Sequence, residues 1–336
     1  MRSPKAIFSV VWCALWATFA VYCLLAARGH ADLRNPMGPA FAPEPGAQKG
    51  TFATLGDCHS YRRSLQGFLR TASNRGVQFG VLLGDFVDYD EDIAYHHLVD
   101  RLGEPPYPIF LARGNHEGTD FQLNDTHRYR SYVPQTSRFF VHAGVLVGIL
   151  DNGTGDFAEG CLRQAREEIL SFRQERPDAP VLLAMHIPPT IEEGRSDDLS
   201  ASATRAILDL CSEFRVDYLV CGHVHDHIEF DHDNTTILID GCGGGSLPGP
   251  STDVHYLEFT VKQGGISFER VPLARDHPII ARADYLFHVS VPRFRWWFFL
   301  LACIIALREA WSLRRTYHMS QSAAPSSSDT ELGREG

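Results

Sequence analysis

The chain has 336 residues, which is enough for one large domain or two ordinary ones. Hydrophobic residues make up 44% and charged residues 21%, which excludes a collagen-like, coiled-coil or wholly disordered chain. The net charge of −10 opposes sequence-independent binding to nucleic acid, because neutralising phosphates requires a basic surface. We therefore do not expect nucleic acid as a partner.

The N-terminal segment is apolar. Residues 7–27 carry no charge, and a helix that rises about 1.5 Å per residue would let them cross a hydrocarbon core of about 30 Å. Residues 1–28 are predicted to be a single-pass membrane anchor. A cleaved signal peptide is the alternative, with small residues at Gly29-His30-Ala31. Arg2 and Lys5 precede the segment, so the positive-inside rule places the following domain outside the cytoplasm.

A second apolar run lies near the C-terminus. Residues 296–307 would reach only about 18 Å as a helix, which is shorter than the bilayer core. Arginines flank the run, so residues 285–315 are predicted to be a membrane-associated segment that lies in the interface or is half inserted. A strained second span and a packed core helix are the alternatives. The serine-rich residues 316–336 are predicted to be a disordered tail.

The region between the two apolar segments divides into a linker and a folded body. Residues 29–49 are rich in proline and glycine and are predicted to be a linker. Residues 50–273 alternate short apolar runs with amphipathic segments, which is typical of an α/β architecture. Buried strands are predicted near residues 51–55, 79–83, 108–112, 180–185 and 216–221, and hairpin patterns at 139–150, 233–240 and 255–271 indicate mixed sheets.

Nearly every predicted buried strand is followed by residues that can bind a metal. The clusters are Gly56-Asp57-Cys58-His59, Gly84-Asp85-Phe86-Val87-Asp88, Gly114-Asn115-His116-Glu117, His186 and Gly222-His223-Val224-His225. Open α/β sheets bind ligands in the loops at the carboxyl ends of their strands, so the clusters are expected to converge. Carboxylate, imidazole and amide ligands suit Mn, Fe or Zn, whereas thiolate-rich sets suit structural zinc.

The series of clusters resembles the calcineurin-like metallophosphoesterase superfamily. The pattern of that superfamily is D-x-H, G-D-x-x-D, G-N-H-[DE], H and G-H-x-H, and every element is present here in order. The resemblance covers residues 50–273 and implies an α/β fold, a four-layer sandwich of two mixed β-sheets flanked by helices. It also implies a metal-dependent phosphoric ester hydrolase.

The resemblance implies a dinuclear metal centre with two divalent or mixed-valence transition metal ions, which would be Mn, Fe or Zn. The first ion would be bound by Asp57, His59 and His225, the second by Asn115, His186 and His223, and Asp85 would bridge both. A metal-bridging hydroxide would attack a phosphomonoester or phosphodiester.

Three further residues near the ligands have predicted roles. In the family, the residue at His116 protonates the leaving group or stabilises the developing charge. Asp88 would orient His116 by hydrogen bonding, and the alternative role for Asp88 is to cap a helix over residues 91–102. Glu117 is expected to be structural. His227 would point to the same side of an extended strand as His225, but its spacing predicts no role.

The resemblance leaves the substrate open among phosphorylated small molecules, nucleotides and lipids, with membrane lipid as a further partner. Tyr89 stands where phosphoprotein phosphatases have an arginine that clamps phosphate, and those enzymes lack the closing G-H-x-H. A metal-dependent nuclease of the same superfamily is one alternative, which the negative charge disfavours. A non-catalytic metal-binding module is another, which the intact Asp57, Asp85, Asn115 and His116 argue against.

Overall fold

The computed structural model describes residues 4–25, 36–42, 49–59, 62–118, 127–190, 199–245, 253–262, 265–274, 279–280, 283 and 286–322. The chain divides into two compact units. The larger unit spans Gly29–Val289, and the smaller unit combines Met1–Arg28 with Ser290–Gly336.

The described secondary structure follows the alternation expected from the sequence. In chain order the elements are α1 (Pro4–Leu25), β1 (Gly50–Leu55), α2 (Arg62–Asn74), β2 (Gly80–Leu82), α3 (Asp92–Leu102), β3 (Ile109–Leu111), α4 (His127–Tyr132), β4 (Arg138–His142), β5 (Val145–Ile149), α5 (Cys161–Glu175), β6 (Val181–Ala184), α6 (Ala201–Phe214), β7 (Tyr218–Cys221), β8 (His227–His232), β9 (Thr235–Asp240), β10 (His255–Lys262), β11 (Gly265–Pro272), a π-helix (Leu286–Ser290), α7 (Val291–Arg293) and α8 (Arg295–Ser322).

The larger unit contains two mixed sheets. The first has the strand order β11-β10-β1-β2-β3, and the second has the order β4-β5-β6-β7-β9-β8. Strands β1, β2 and β3 are parallel to one another, as are β5, β6, β7 and β9. The central strands β2, β5 and β6 are buried throughout, because sheets built from parallel strands are covered on both faces.

Helices cover the outer face of each sheet. Leu65 of α2 and Leu98 of α3 belong to the same buried cluster as Leu82 of β2. Ile169 of α5 and Ile207 of α6 belong to a second cluster with the outward-facing residues of the other sheet. A third cluster fills the space between the two sheets. The arrangement of helices, sheet, sheet and helices confirms the predicted four-layer α/β sandwich.

The space between the sheets is filled by aromatic rings at the amino ends of β1, β2 and β3. The ring of Phe52 stacks on Phe79 and on Phe259, with centroids 4.9 Å apart in both pairs. Phe110 stacks on Phe140 of the opposite sheet at 4.6 Å. We call these five residues the aromatic cluster. They lie at the end of the sandwich opposite to the carboxyl ends of the three parallel strands.

Residues 36–42 pack onto this body, although they lie within the predicted linker. Met37 forms an antiparallel bridge with Ile109, in which each backbone N–H donates to the carbonyl of the other residue at 2.7 and 2.9 Å. The ring of Phe41 lies 4.7 Å from that of Phe140. This part of the segment is therefore an addition to the edge of the first sheet and not a free tether.

The smaller unit contains α1 and α8, which pack against each other. The rings of Phe19 and Phe298 are 6.2 Å apart, and the Sγ atom of Cys13 lies 3.7 Å from the carbonyl oxygen of Ala306. The contact from the more N-terminal residue of α1 goes to the more C-terminal residue of α8, so the two helices are antiparallel.

Helix α8 is longer than the apolar run that the sequence analysis used. It has 28 residues, and its stretch Arg295–Arg315 is long and apolar enough to cross a membrane, while Val10–Cys23 of α1 is a shorter apolar helix. Helix α8 is therefore longer than the 12 apolar residues from which an in-plane or half-inserted segment was expected. Residues 316–322 are helical and do not belong to a disordered tail, and the rest of the predicted tail lies outside the described residues.

Candidate metal centre

The loops after β1, β2, β3, β6 and β7 bring the predicted ligands together. The seven side chains that converge, which we call the dinuclear site, are Asp57, His59, Asp85, Asn115, His186, His223 and His225. Glycines permit the close approach of these loops. A Cβ atom at Gly84 would lie 2.4 Å from Nδ1 of His186, and one at Gly114 would lie 2.2 Å from Oδ1 of Asp85.

The first group of side chains is formed by Asp57, His59 and His225. Nε2 of His225 lies 3.3 Å from Oδ1 of Asp57 and 3.4 Å from Nε2 of His59. Asp57 is fully buried and His59 is 6% exposed, while His225 is partly exposed. The three ligand atoms therefore surround a point that solvent reaches from one side.

The second group of side chains is formed by Asn115, His186 and His223. Oδ1 of Asn115 lies 2.9 Å from Nε2 of His186 and 2.8 Å from Nδ1 of His223. His186 is fully buried. The backbone N–H of His223 donates to Oδ2 of Asp57 at 2.8 Å, which ties this group to the first one.

Asp85 lies between the two groups. Its Oδ1 atom is 3.3 Å from Nε2 of His186. Ligand atoms of Asp85, His186 and His223 all lie within 4.8 Å of one another, and so do those of His59, Asp85 and His116. Asp85 is thus the side chain that neighbours both groups, which is the position predicted for a bridging ligand.

The hydrogen bonds of His186 test whether these residues fit a cation. Nδ1 of His186 donates to the carbonyl of Leu83 at 2.6 Å, so in the neutral imidazole Nε2 carries a lone pair. That lone pair faces acceptor oxygens of Asp85 and Asn115. Buried Oδ1 of Asp57 likewise accepts no hydrogen bond from the described residues. The donor set of imidazoles, carboxylates and one amide oxygen fits transition metal ions.

The charges of the metal-free site agree with this reading. Burial opposes the protonation of His186, but the Asp85 charge and its hydrogen bond raise the pKa of His186 to about 9. Despite burial, His186, His116 and His59 lower the pKa of Asp85. Burial lowers the pKa of His59, so His59 keeps a free lone pair. A proton on His186 therefore occupies the place in which a metal ion would be held.

Four of the ligand residues have left-handed backbone conformations. The φ angles are 53° at Asp57, 45° at His59, 48° at Asp85 and 70° at His223. Such conformations cost about 1 to 3 kcal/mol each for residues other than glycine, and they persist where the surroundings enforce them. The loops therefore hold the ligands in a geometry that the local sequence alone would not choose.

His116 stands at the exposed side of the dinuclear site. Its Nδ1 atom lies 2.8 Å from the backbone carbonyl of Asp88, and its backbone N–H donates to Oδ1 of Asp85 at 3.0 Å. Nε2 of His116 is 3.8 Å from Oδ2 of Asp85, and the side chain is 34% exposed. One ring nitrogen is therefore fixed by the protein, and the other faces the site.

Asp88 lies beside two histidines of the site. Its backbone carbonyl is 2.8 Å from Nδ1 of His116, and its carboxylate oxygen Oδ1 is 3.6 Å from Nδ1 of His59. Helix α3 begins at Asp92 with Glu91 at its N-cap position, so Asp88 does not cap it. The contact with His116 is made by the main chain of Asp88, and the orienting role of Asp88 stays a prediction.

Glu117 connects the loops after β2 and β3 through hydrogen bonds to their backbone N–H groups. Its Oε2 atom accepts from the backbone N–H groups of Asp85 at 2.9 Å and of Gly114 at 2.7 Å. Its Oε1 atom accepts from Phe86 at 2.9 Å and from Val87 at 3.0 Å. Burial and the Asp85 charge raise the pKa of Glu117 to about 8, and the backbone hydrogen bonds oppose that shift.

Asn152 is a positioning residue that the sequence analysis missed. Its Oδ1 atom accepts from the backbone N–H of His186 at 3.0 Å and of Ile187 at 3.2 Å, and its Nδ2 atom donates to the carbonyl of Ile187 at 2.6 Å. Next to it, Asp151 forms a fully buried ion pair with Arg113, with 2.8 Å between Oδ1 and Nε. The available signal was the position of Asp151-Asn152 directly after a buried strand, as for the ligands.

Known proteins resemble this chain in sequence and in fold. A family model described as calcineurin-like phosphoesterase matches residues 50–227, more than half of the chain. Over 226 residues the chain is 24% identical to a probable cyclic nucleotide phosphodiesterase of Rhodopseudomonas palustris, a match that covers 62% of this chain and 82% of the relative.

Two solved structures are similar in fold. Purple acid phosphatase PPD1 of yellow lupin (Lupinus luteus) has a TM-score of 0.52 at 12% identity, covering 68% of this chain and 53% of the lupin chain. This chain thus spans about half the length of the lupin enzyme. A dimetal phosphatase of Danio rerio has a TM-score of 0.50 at 13% identity, covering 68% of this chain and 98% of the other. The chain belongs to the calcineurin-like phosphoesterase family and is a metal-dependent phosphoric ester hydrolase.

Proposed function

We propose that the chain hydrolyses a phosphodiester or phosphomonoester of a small molecule at the dinuclear site. The observation that carries this proposal is the position of Asp85, which neighbours both groups of metal ligands. His116 lies beside Asp85 at the exposed edge of the site. A site that only stored metal ions would have no use for an exposed imidazole in that place.

One metal ion would be bound by Asp57, His59 and His225. The other would be bound by Asn115, His186 and His223, and Asp85 would bind both ions. Two ions bound there would lower the pKa of a water molecule, and they would neutralise charge on the phosphate oxygens.

His116 provides the proton that the leaving group needs. Because Nδ1 of His116 is fixed on the Asp88 carbonyl, only Nε2 is available to a substrate. The oxygen of water forms a bond to phosphorus while that water releases a proton to solvent, and the bond from phosphorus to the leaving oxygen breaks. The leaving oxygen takes the proton from Nε2 of His116, which solvent then restores. Asp88 and Glu117 act by keeping His116 and the Asp85 loop in position.

A cyclic nucleotide or another small phosphodiester is the first substrate to test. The relative from Rhodopseudomonas palustris is named as a probable cyclic nucleotide phosphodiesterase and is matched over 82% of its length. The net charge of −10 disfavours a polynucleotide. Lipid phosphates are the second substrate class, because the apolar helices would bring the enzyme to a membrane surface.

The activity test uses the full chain in detergent with Mn, Fe and Zn supplied in turn. A cyclic nucleotide, an aryl phosphodiester and an aryl phosphomonoester report the two ester classes, and Asp85→Asn is the negative control. Hydrolysis of one class that disappears in the control supports the proposal. Metal binding without hydrolysis of any of these substrates would favour the non-catalytic module instead.

On this proposal, α1 and α8 cross the membrane as an antiparallel pair and the catalytic domain is extracytoplasmic. Lys5 is the second residue of α1, and Arg2 precedes that helix in the sequence. Arg314 and Arg315 lie in the C-terminal half of α8, and Arg308 lies at its middle. In an antiparallel pair these basic residues are on one side, as the positive-inside rule favours. This proposal has two crossings, where the sequence predicted a single-pass anchor.

Topology reporters test the two crossings. One reporter inserted near Pro43 and one fused after Gly336, each active in only one compartment, should report opposite sides, with the second in the cytoplasm. The same extracytoplasmic side for both would restore the single-pass anchor. A cytoplasmic signal from the first reporter would overturn the orientation.

A further inference from the structure

We infer that His227, Asp240 and His255 form a third metal site, separate from the dinuclear site, that holds one Zn²⁺ ion and joins the two sheets. We call these three residues the sheet-bridging site. These three residues have no role in the proposed hydrolysis, so the presence of a metal ion at the sheet-bridging site does not depend on that function.

The geometry of the sheet-bridging site matches that of the dinuclear site. Oδ1 of Asp240 lies 3.1 Å from Nδ1 of His227 and 2.8 Å from Nε2 of His255, and all three ligand atoms lie within 4.8 Å of one another. The close pairs of ligand atoms in the dinuclear site are 2.8 to 3.4 Å apart. Tetrahedral zinc with bonds of about 2.0 to 2.2 Å separates its ligands by roughly 3.3 to 3.6 Å, so binding of an ion would move these three side chains slightly apart.

The hydrogen bonds of His255 repeat those of the metal ligand His186. Nδ1 of His255 lies 2.8 Å from the carbonyl of Asp253, just as Nδ1 of His186 is bonded to the carbonyl of Leu83. Metal-binding histidines typically donate their second N–H to a carbonyl or carboxylate, which fixes the tautomer. In neutral His255 the lone pair of Nε2 then faces a carboxylate oxygen at 2.8 Å, a contact that requires either a proton or a metal ion between the two atoms.

The three side chains are mostly buried, as metal ligands commonly are. Asp240 is fully buried and the His255 side chain is 6% exposed, whereas the His227 side chain is 14% exposed. The second oxygen of Asp240, Oδ2, accepts no hydrogen bond from a described N–H or O–H group. A buried carboxylate is costly unless a cation compensates its charge. The partial exposure of His227 leaves a route for an ion to enter.

The donor chemistry favours Zn²⁺ over Mg²⁺ or Ca²⁺. Two imidazoles and one carboxylate suit a borderline ion, and the hard cations prefer all-oxygen sites.

The position of the sheet-bridging site indicates what a bound ion would do. His227 and Asp240 are cross-strand partners in the second sheet, and His255 begins β10 in the first sheet. After Asp240 the chain enters a glycine-rich turn in which the N–H groups of Gly243 and Gly245 donate to the carbonyls of Gly56 and Asp57, both at 2.8 Å. An ion at this site would therefore fix the turn that lies under the first ligand of the dinuclear site.

The test is a count of bound metal in the full chain in detergent, saturated with Zn²⁺ and freed of excess ion. We expect three zinc ions per chain in the unaltered protein and two in His227→Gln and in His255→Gln. His232→Gln is the matched control, because His232 lies at the far end of the same strand, and it should retain three. The partly exposed His227 serves as the second variant in case the buried His255→Gln does not fold.

The result does not depend on hydrolysis. Retention of two ions by the variants shows that their dinuclear site, and hence their fold, is intact. Two ions in the unaltered chain would overturn the inference. So would a third ion that remains in His227→Gln, because that ion would be bound elsewhere.

Discussion

The dinuclear site and the sheet-bridging site combine the same side chains on very different backbones. Asp57, His59, Asp85 and His223 of the dinuclear site have positive φ angles and lie in loops. His227, Asp240 and His255 are the terminal residues of regular strands. Strand register alone brings His227 opposite Asp240, whereas the dinuclear site needs additional contacts from Glu117 and Asn152 to keep its loops in place.

The difference in backbone agrees with the two proposed roles, which are hydrolysis at the dinuclear site and attachment of the two sheets to each other at the sheet-bridging site. Open loops can place ligands around a substrate and leave coordination positions free, and they cost about 1 to 3 kcal/mol for each strained residue. Strand ends offer less freedom of placement and need no such strain. The dinuclear site should therefore be sensitive to changes in its supporting residues, and the sheet-bridging site should not respond to them.

The largest effect is expected for Asp85→Asn. The substitution removes the carboxylate that neighbours both ligand groups, so hydrolysis should be abolished and metal content should fall. Metal analysis and turnover measure the two effects, with Asp231→Asn on the exposed side of β8 as control. One zinc ion should remain at the sheet-bridging site. Full activity with unchanged metal content would contradict the bridging role of Asp85.

The next largest effect is expected for His116→Ala. Turnover should fall by about 10² to 10⁴ while all metal is retained, because a proton donor is lost but no proposed ligand is removed. Turnover on substrates with different leaving groups measures this. A loss that disappears with a leaving group that needs no proton supports the acid role, and an equal loss on all substrates would show electrostatic stabilisation instead.

Glu117→Gln should weaken metal binding without removing a ligand. Each carboxylate oxygen of Glu117 accepts from two backbone N–H groups, so the amide NH₂ group that replaces either oxygen would face two donors. We expect metal affinity at the dinuclear site to fall by about 10- to 100-fold and the free energy of unfolding by about 1 to 3 kcal/mol.

Competition with a chelator and denaturant unfolding measure the effects of Glu117→Gln. Glu229→Gln, on an exposed position of β8, is the control. If zinc at the sheet-bridging site weakened to the same extent, the contrast between the two sites would be lost.

The smallest effect is expected for Asn152→Ala. This variant loses the acceptor for the backbone N–H of His186, so the unfolding free energy should fall by about 1 to 2 kcal/mol. The exposed Asn234→Ala should change it by less than about 0.5 kcal/mol. Urea unfolding of both variants measures the difference. Equal stability of the two variants would show that His186 is held in place by its other contacts.

Much of the fold could be predicted because the signals are local. Apolar runs predicted the five strands near residues 51–55, 79–83, 108–112, 180–185 and 216–221. The structure has strands at all five, with β1 one residue longer than predicted and the other four slightly shorter. The ligand clusters were visible because they follow those strands directly. Contacts between distant segments have no such signal. Asp240 and His255 lie in different sheets, so no spacing in the sequence relates them.

The structure differs from the sequence-based predictions in two segments. In both, the prediction used the composition of the segment, which does not show what the segment contacts. Proline and glycine near Met37 correctly indicate irregular backbone, yet they do not show that this backbone pairs with Ile109. The charged residues after Leu307 end the apolar run, but a helix needs no apolar residues to continue, and α8 extends to Ser322. Apolar length was therefore a poor measure of helix length.

The aromatic cluster determines how the domain should open when its metals are withdrawn. Stacked rings at one end of β1, β2 and β10 resist separation of the sheets whether or not ions are present. The opposite end, with its strained loops, depends on charge compensation. Amide hydrogen exchange in the metal-free protein should therefore quicken first in the loops after β1, β2 and β3. The amides of Phe52 and Phe259 should exchange only when the whole domain unfolds. Removal of metal should therefore separate the two sheets at the end that holds the ligand loops, while the end with the aromatic cluster stays closed.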